Sequence, residues 1–299
     1  MADDGEAIYI HDWSISQPKA ILVIAHGMGE HGGRYAALAT YLNQQGVSVY
    51  APDHRGHGQT GQRMRHMGFF APEQGWDRVV GDLFSLCQQL KARHSGLPFF
   101  LMGHSMGSFL ARDFAARQGR MLQGLILSGT ASGKWDALGG RALVRILSTV
   151  KSPVDECDFL TRTTMGRFNA AFAPCRTEFD WLSRDPDQVD AYVDDPLCGI
   201  GFTLGFYRDL FQGLGRISRR DCFSRTPSRL PIFCFAGSQD PVGRQGKGVT
   251  AVAGQYRSAG IRDLELKLYP QGRHEMVNEI NRDEVYSDIH EWMAARIPG

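Results

Sequence analysis

Short strand-like apolar runs alternate along this chain with longer stretches in which apolar residues recur every three or four positions. The runs cover residues 8–10, 20–25, 47–51, 99–102, 124–128, 231–236 and 264–269. A run of about four to eight apolar residues without polar alternation is what a strand covered on both faces requires. Helical spacing covers roughly 34–45, 76–93, 106–117, 246–258 and 283–296. Strand and helix taken in turn predict the α/β class, with a mainly parallel sheet flanked by helices.

The alternation stops between about Ala131 and Ser228. That interval is too long for a loop inside a compact domain. It contains amphipathic pieces such as Gly140 to Leu147 and many aromatic residues, among them Trp135, Phe159, Phe168, Phe172, Phe179, Trp181, Phe202, Phe206, Tyr207 and Phe211. We read it as a helical cap inserted between two strands of the sheet. Residues 1–130 and 229–299 then form the core, and 131–228 the cap. The aromatic residues either line a pocket for an apolar substrate or make the cap's own core.

Composition narrows the partners. The 299 residues carry 33 basic and 32 acidic side chains, a net charge of +1, which gives no reason to expect nucleic acid or an anionic membrane as the main partner. The acidic N-terminal stretch lacks the basic and apolar regions of a secretory leader, and no apolar stretch is long enough to span a bilayer. Membrane contact is therefore expected to be transient at most. Six scattered cysteines without a C-x-x-C pair read as reduced thiols, consistent with a cytoplasmic protein. The ten histidines show no metal-ligand spacing, so neither a metal nor a cofactor is expected. Oligomeric state is not encoded at this level.

The chemistry is concentrated in three places. Gly103-His104-Ser105-Met106-Gly107 follows an apolar run and precedes a helical stretch. A strand turning at once into a helix crowds the backbone, so glycines flank the turn and a serine is displayed at its tip. Serine needs a base to become nucleophilic. Asp240 and His274 each sit in a loop just past a predicted strand, and the chain order is Ser, Asp, His. Catalytic groups of open α/β sheets collect at the carboxyl ends of strands. In this arrangement His274 takes the Ser105 proton and Asp240 fixes the imidazole tautomer. Glu275 and Asp209 are rival carboxylates, less well placed. The oxyanion that develops on the substrate needs two N–H donors. One is the amide of Met106; the other comes from His26-Gly27-Met28-Gly29, with the amide of Met28 preferred.

The segment His26-Gly27-Met28-Gly29-Glu30-His31-Gly32-Gly33-Arg34-Tyr35 resembles the H-G-x-G-E-H-x-x-R-Y segment of the monoacylglycerol lipase and lysophospholipase-like branch of the α/β-hydrolases. Asp53-His54-Arg55-Gly56-His57-Gly58, the Gly103–Gly107 pentapeptide, Asp240 and His274 extend the resemblance over nearly the whole chain. It implies an α/β-hydrolase fold and an oxyanion hole at Met28 and Met106. It also implies a supporting loop in which Glu30 and Arg34 brace His26, Gly27 and Gly29, with a plain surface ion pair as the alternative. Asp53 and Arg55 resemble a structural turn. The implied activity is hydrolysis of a small-molecule, single-chain acyl ester, a monoacylglycerol or lysophospholipid. The charged cap (Arg141, Arg145, Lys151, Asp155, Glu156, Asp158) departs from the apolar cap of membrane-associated members. Two rival functions remain at this level: an aminopeptidase or other amide hydrolase on the same fold, and a catalytically silent ligand-binding homologue.

Overall fold

The computed structural model describes residues 4–132 and 134–297. Residues 1–3, which belong to the stretch inspected for a leader, lie outside the described residues, as does the side chain of Trp135. Seven strands among the described residues make one sheet: β1 (Ile10–Trp13), β2 (Ala20–Ala25), β3 (Val47–Pro52), β4 (Phe99–His104), β5 (Gly124–Ser128), β6 (Ile232–Gly237) and β7 (Leu264–Tyr269). Their order is β1-β3-β2-β4-β5-β6-β7, and every pairing is parallel except β1 with β3. The fold is that of an α/β-hydrolase. Strands β2 to β6 are buried along their whole length, which is why they read as unbroken apolar runs.

Helices α1 (Ala36–Gln44), α2 (Gly58–Met64), α3 (Gly75–Arg93) and α4 (Met106–Gln118) follow the early strands. Between β5 and β6 come α5 (Lys134–Leu147), α6 (Asp158–Met165), α7 (Pro186–Asp194), α8 (Leu204–Ile217) and α9 (Arg220–Arg225); α10 (Lys247–Ser258) and α11 (Arg282–Ala294) follow β6 and β7. The two faces of the sheet bury separate cores. One contains Trp76, Leu83, Phe114 and Tyr256 and extends to Phe206, Tyr207 and Leu214 of α8. The other contains Tyr35, Leu42, Tyr286 and Trp292 from α1, α11 and their approaches. A third, smaller cluster joins Trp181, Leu182, Tyr192 and Cys198.

The structure departs from the sequence pattern at several strand ends and in one added helix. β1 starts at Ile10 rather than Ile8, because its edge position leaves it only half-buried and the antiparallel register with β3 sets its ends. The sequence pattern does not predict α2; with two glycines and one apolar residue in seven, GQTGQRM has neither propensity nor period. All six cysteines are free thiols, and only Cys175 is exposed.

Candidate active site

β4 runs through Gly103 and His104, which pair with Leu127 and Ser128, and α4 begins at Met106. Ser105 must therefore reverse the chain by itself. It does so at φ 50°, ψ −120°, a conformation costly for a residue with a Cβ. Its N–H donates to the Ser128 carbonyl (2.9 Å), and its own carbonyl accepts from the Ser108 amide (2.9 Å). The flanking glycines are needed because the backbones touch: a Cβ on Gly103 would stand 2.3 Å from the Gly107 carbonyl oxygen, and one on Gly107 2.0 Å from that of Ala25.

Asp240 lies just past β6 and is fully buried; His274 lies past β7 and is 2% exposed. His274 Nδ1 and Asp240 Oδ1 are 2.9 Å apart, and Oδ1 also accepts from the Val242 amide (2.9 Å). Burial disfavours the imidazolium, but the facing carboxylate outweighs it and holds the His274 pKa above the ordinary 6.5. The Ser105 hydroxyl and the His274 ring line the same cavity, with no hydrogen bond closed between them. Such contacts often tighten only when substrate is bound. Neither rival carboxylate takes the place of Asp240. Asp209 pairs with Arg208 away from the cavity (3.0 Å), and Glu275 is held by Arg34.

Met28 and Met106 both line the cavity. Met106 opens α4, so its amide belongs to the first-turn donors that a helix leaves without an intrahelical acceptor. The loop before it is fixed from below. Glu30 Oε1 accepts from the Gly27 amide (2.5 Å) and the Tyr35 hydroxyl (2.9 Å), while Oε2 accepts from Arg34 (3.2 Å). Arg34 also forks onto Glu275 at 2.5 and 2.7 Å. With Glu30 3% exposed and Arg34 10%, this is a buried network and not a surface pair. Burial raises the Glu30 pKa. Burial acts on Glu275 in the same sense, but the guanidinium overrides it and holds the acid down at about 2. His26 holds the chain from the other side: Nδ1 contacts the Gly27 carbonyl (2.8 Å) and Nε2 accepts from the His54 amide (2.9 Å). Asp53 accepts from the Gly32 and Gln59 amides, and Arg55 pairs with Asp82 and Asp4, so both serve the turn.

Residues of the β5–β6 interval complete the surroundings: the segment Phe179 to Asp185 and Asp195-Pro196 resemble cap sequence of the same branch, but no local pattern assigns them a role at the site. The Tyr192 hydroxyl and the Gly199 amide donate to the Gly29 carbonyl (2.8 and 2.9 Å), and Asp195 meets His31 (2.8 Å). The Trp181 ring lies 5.2 Å from that of His274, and Arg273 donates to the carbonyls of Asp180 and Ser183. Only long-range contact identifies these partners.

The cavity measures about 490 Å³. Leu143, Leu160, Leu210, Phe211 and Leu214 line it, as do Phe109, Met165, Phe168, Trp181 and Leu182. Of the aromatic residues singled out in the interval, Phe168, Trp181 and Phe211 face this space, Phe202, Phe206 and Tyr207 are core, and Phe159 is exposed.

The family described as serine aminopeptidase, S33, matches residues 16–281. Phospholipase YtpA of Bacillus subtilis is 34% identical over 92% of this chain and 95% of its own. The chain belongs to this family. This hydrolase is also 29% identical to a monoacylglycerol lipase of Mycolicibacterium smegmatis, over 94% of its own length and 90% of the relative's. A thermostable carboxyl esterase from Bacillus coagulans, solved with glycerol, superposes with a TM-score of 0.92 at 30% identity, covering 100% of this chain and 97% of that one. It is thus a serine hydrolase of the carboxylic ester class, like monoacylglycerol lipases.

Proposed function

We propose that this hydrolase cleaves single-chain acyl esters, monoacylglycerol or lysophospholipid, through Ser105, His274 and Asp240. One observation carries the reading: a serine held in a strained turn and a histidine–aspartate pair open onto one apolar cavity of about 490 Å³. In the acylation step His274 removes the Ser105 proton as Oγ attacks the ester carbonyl, and the amides of Met28 and Met106 receive the oxyanion. Collapse breaks the acyl–oxygen bond, and the leaving alcohol takes the proton back from His274. Water then repeats the sequence on the acyl-enzyme and releases the fatty acid. Buried, Asp240 keeps the imidazole oriented and stabilises its cation.

Residues 131–228 act as the cap, with α5 and α6 over the cavity. Ile146, Val150, Val154 and Phe159, 51–80% exposed on these helices and the link between them, support brief contact with a lipid surface during substrate uptake from the cytoplasm. Among the described residues no helix is long and apolar enough to cross a membrane.

An aminopeptidase would need a free carboxylate to hold the substrate amine. The two glutamates that line the cavity, Glu30 and Glu275, are both engaged by Arg34, which favours the ester reading. Fatty-acid release from monoacylglycerols, lysophosphatidylcholine, short p-nitrophenyl esters and an aminoacyl amide tests it. Long-chain esters should be preferred, and Ser105→Ala should abolish turnover without lowering Tm. A Ser105→Ala enzyme that keeps near wild-type rates removes the assignment.

A further inference from the structure

We infer that Arg244 selects substrates whose head group carries a phosphate, so that the preferred ester is an anionic lysophospholipid and not an uncharged monoacylglycerol. The inference rests on the acyl-ester reading above and adds the head group to it.

Arg244 is the one lysine or arginine among the described residues lining the cavity. It is exposed, and its side chain makes no hydrogen bond or ion pair with a described residue. Nearby carboxylates do not neutralise it. Asp240, four residues earlier in the same loop, is committed through Oδ1 to His274 and the Val242 amide. Glu30 and Glu275 are committed to Arg34.

The backbone shows that this placement is held at a cost. Arg244, Gln245 and Gly246 are left-handed in succession, with φ of 51°, 55° and 81°. For two residues with side chains this is a disfavoured conformation. The turn is fixed on both sides, by the Arg244 amide on the Pro241 carbonyl and the Gln245 amide on the Asp240 carbonyl. The loop that carries the histidine's carboxylate partner thus also holds a free guanidinium at the cavity.

The cavity walls give the substrate a direction. Leu143, Leu160, Leu210, Phe211 and Leu214 belong to or pack on the large core and offer an apolar wall for the acyl chain. Val242, two residues before Arg244, packs instead on the smaller Trp181–Leu182–Tyr192 cluster near His274. An ester with its carbonyl at Ser105 and its chain along the first wall leaves its alcohol portion on the His274 side, toward the loop of Arg244. A planar guanidinium there forks onto a phosphate, whereas a bare glycerol offers it no charge.

The test is a series with one acyl chain, short enough to stay monomeric in solution, on glycerol, glycerol phosphate, glycerophosphoglycerol and glycerophosphocholine. The readout is kcat/KM for each phosphate-bearing ester divided by that for the acylglycerol. The wild-type ratio for the two anionic esters should exceed one and shrink as salt is raised. It should fall about tenfold or more in Arg244→Ala, reverse in Arg244→Glu and be partly kept in Arg244→Lys, with the change mainly in KM. Far-UV circular dichroism and Tm of the same preparations report folding. A wild-type ratio at or below one, or a ratio that Arg244→Ala leaves unchanged, overturns the inference while leaving the ester hydrolase intact. Failure of the wild type on all four esters removes the acyl-ester reading, and this inference with it.

Discussion

Replacing Arg34 with methionine keeps much of the side chain's bulk and removes the one cation shared by Glu30 and Glu275. Both carboxylates are almost fully buried, at 3% and 4% exposure. Breaking a buried ion pair from one side costs about 3–5 kcal/mol, because the remaining charge has neither water nor partner. Linkage gives a similar figure. Holding Glu275 at about 2 against an ordinary 4.5 is worth about 3 kcal/mol at neutral pH, since each tenfold in acidity is about 1.4 kcal/mol. The sign is that of a depressed acid: the contribution is complete above pH 4.5 and disappears as pH falls toward 2. Glu30, whose pKa is raised, acts in the opposite sense and reduces the net benefit. Without Arg34 both acids move upward, so the deficit of the variant is largest at neutral pH and narrows on acidification toward 5. At roughly 2.1 cal/mol/K per residue of unfolding entropy, 3–5 kcal/mol lowers Tm by about 5–8 °C for a chain of this length. Thermal unfolding of the wild type, Arg34→Met and Arg34→Met/Glu275→Gln at pH 7 and pH 5 measures this. The double variant, with an uncharged amide in place of the orphaned acid, should regain at least half the loss. A Tm within 1–2 °C of the wild type (roughly 1 kcal/mol) for Arg34→Met at pH 7, or a deficit that does not narrow at pH 5, refutes the reasoning.

Three further outcomes follow from the site. Asp240→Asn should lower kcat/KM by about 10³–10⁴-fold, the usual weight of the carboxylate in such a set; a loss under tenfold would assign the role elsewhere. Activity needs neutral His274, so the acid limb of the wild-type kcat/KM profile should lie above pH 6.5 and move down in Asp240→Asn, where the charge that raises the histidine is gone. Protonated His274 stabilises the fold below its unfolded pKa and loses that effect as pH rises through its folded value, so this contribution declines over the range where activity appears. Ser105→Gly should be inactive yet up to about 1 kcal/mol more stable, the relief of φ 50° exceeding the entropy that glycine adds to the unfolded chain. A lower Tm in that variant shows that the elbow stores no strain.

Most of the sheet was legible because parallel strands buried on both faces must be apolar throughout. β2 and β5 begin and end where the apolar runs do, and β7, an edge strand with Glu265 and Leu268 exposed, also keeps its predicted ends. β4 runs two residues beyond its apolar run because Gly103 and His104 are still paired with β5, which ladder geometry decides and hydropathy does not. The nucleophile turn was legible for a local reason as well, since the steric demand on Gly103 and Gly107 falls inside five consecutive residues. Arg34 shows where such reading stops. Its neighbour Glu30 is four positions away and visible as a pair, but its stronger partner Glu275 is 241 residues along the chain. No local pattern carries that contact, and it changes the meaning of Glu275, from a rival of Asp240 to a charge spent on bracing a loop.

The same distinction divides the β5–β6 interval into parts that evolution can treat differently. Residues 176–203 are bound to both halves of the proposed machinery. Tyr192, Asp195 and Gly199 hold the loop of Gly29 and His31, while Trp181 and the carbonyls of Asp180 and Ser183 hold the loop of Arg273 and His274. A change there alters the placement of a donor or a base, where 1 Å of displacement costs about 10²-fold in rate. On α5 and α6, Leu143 and Leu160 meet the cavity and Ile146 and Phe159 meet solvent, while Met165 meets the cavity and also packs on the Trp181–Tyr192 cluster. Substitutions at Leu143 and Leu160 can therefore reshape the acyl space while leaving the proposed Ser105, His274 and Asp240 in register. Chain-length preference should vary with residues 139–165 and rate with residues 176–203, although the two stretches are neighbours in sequence.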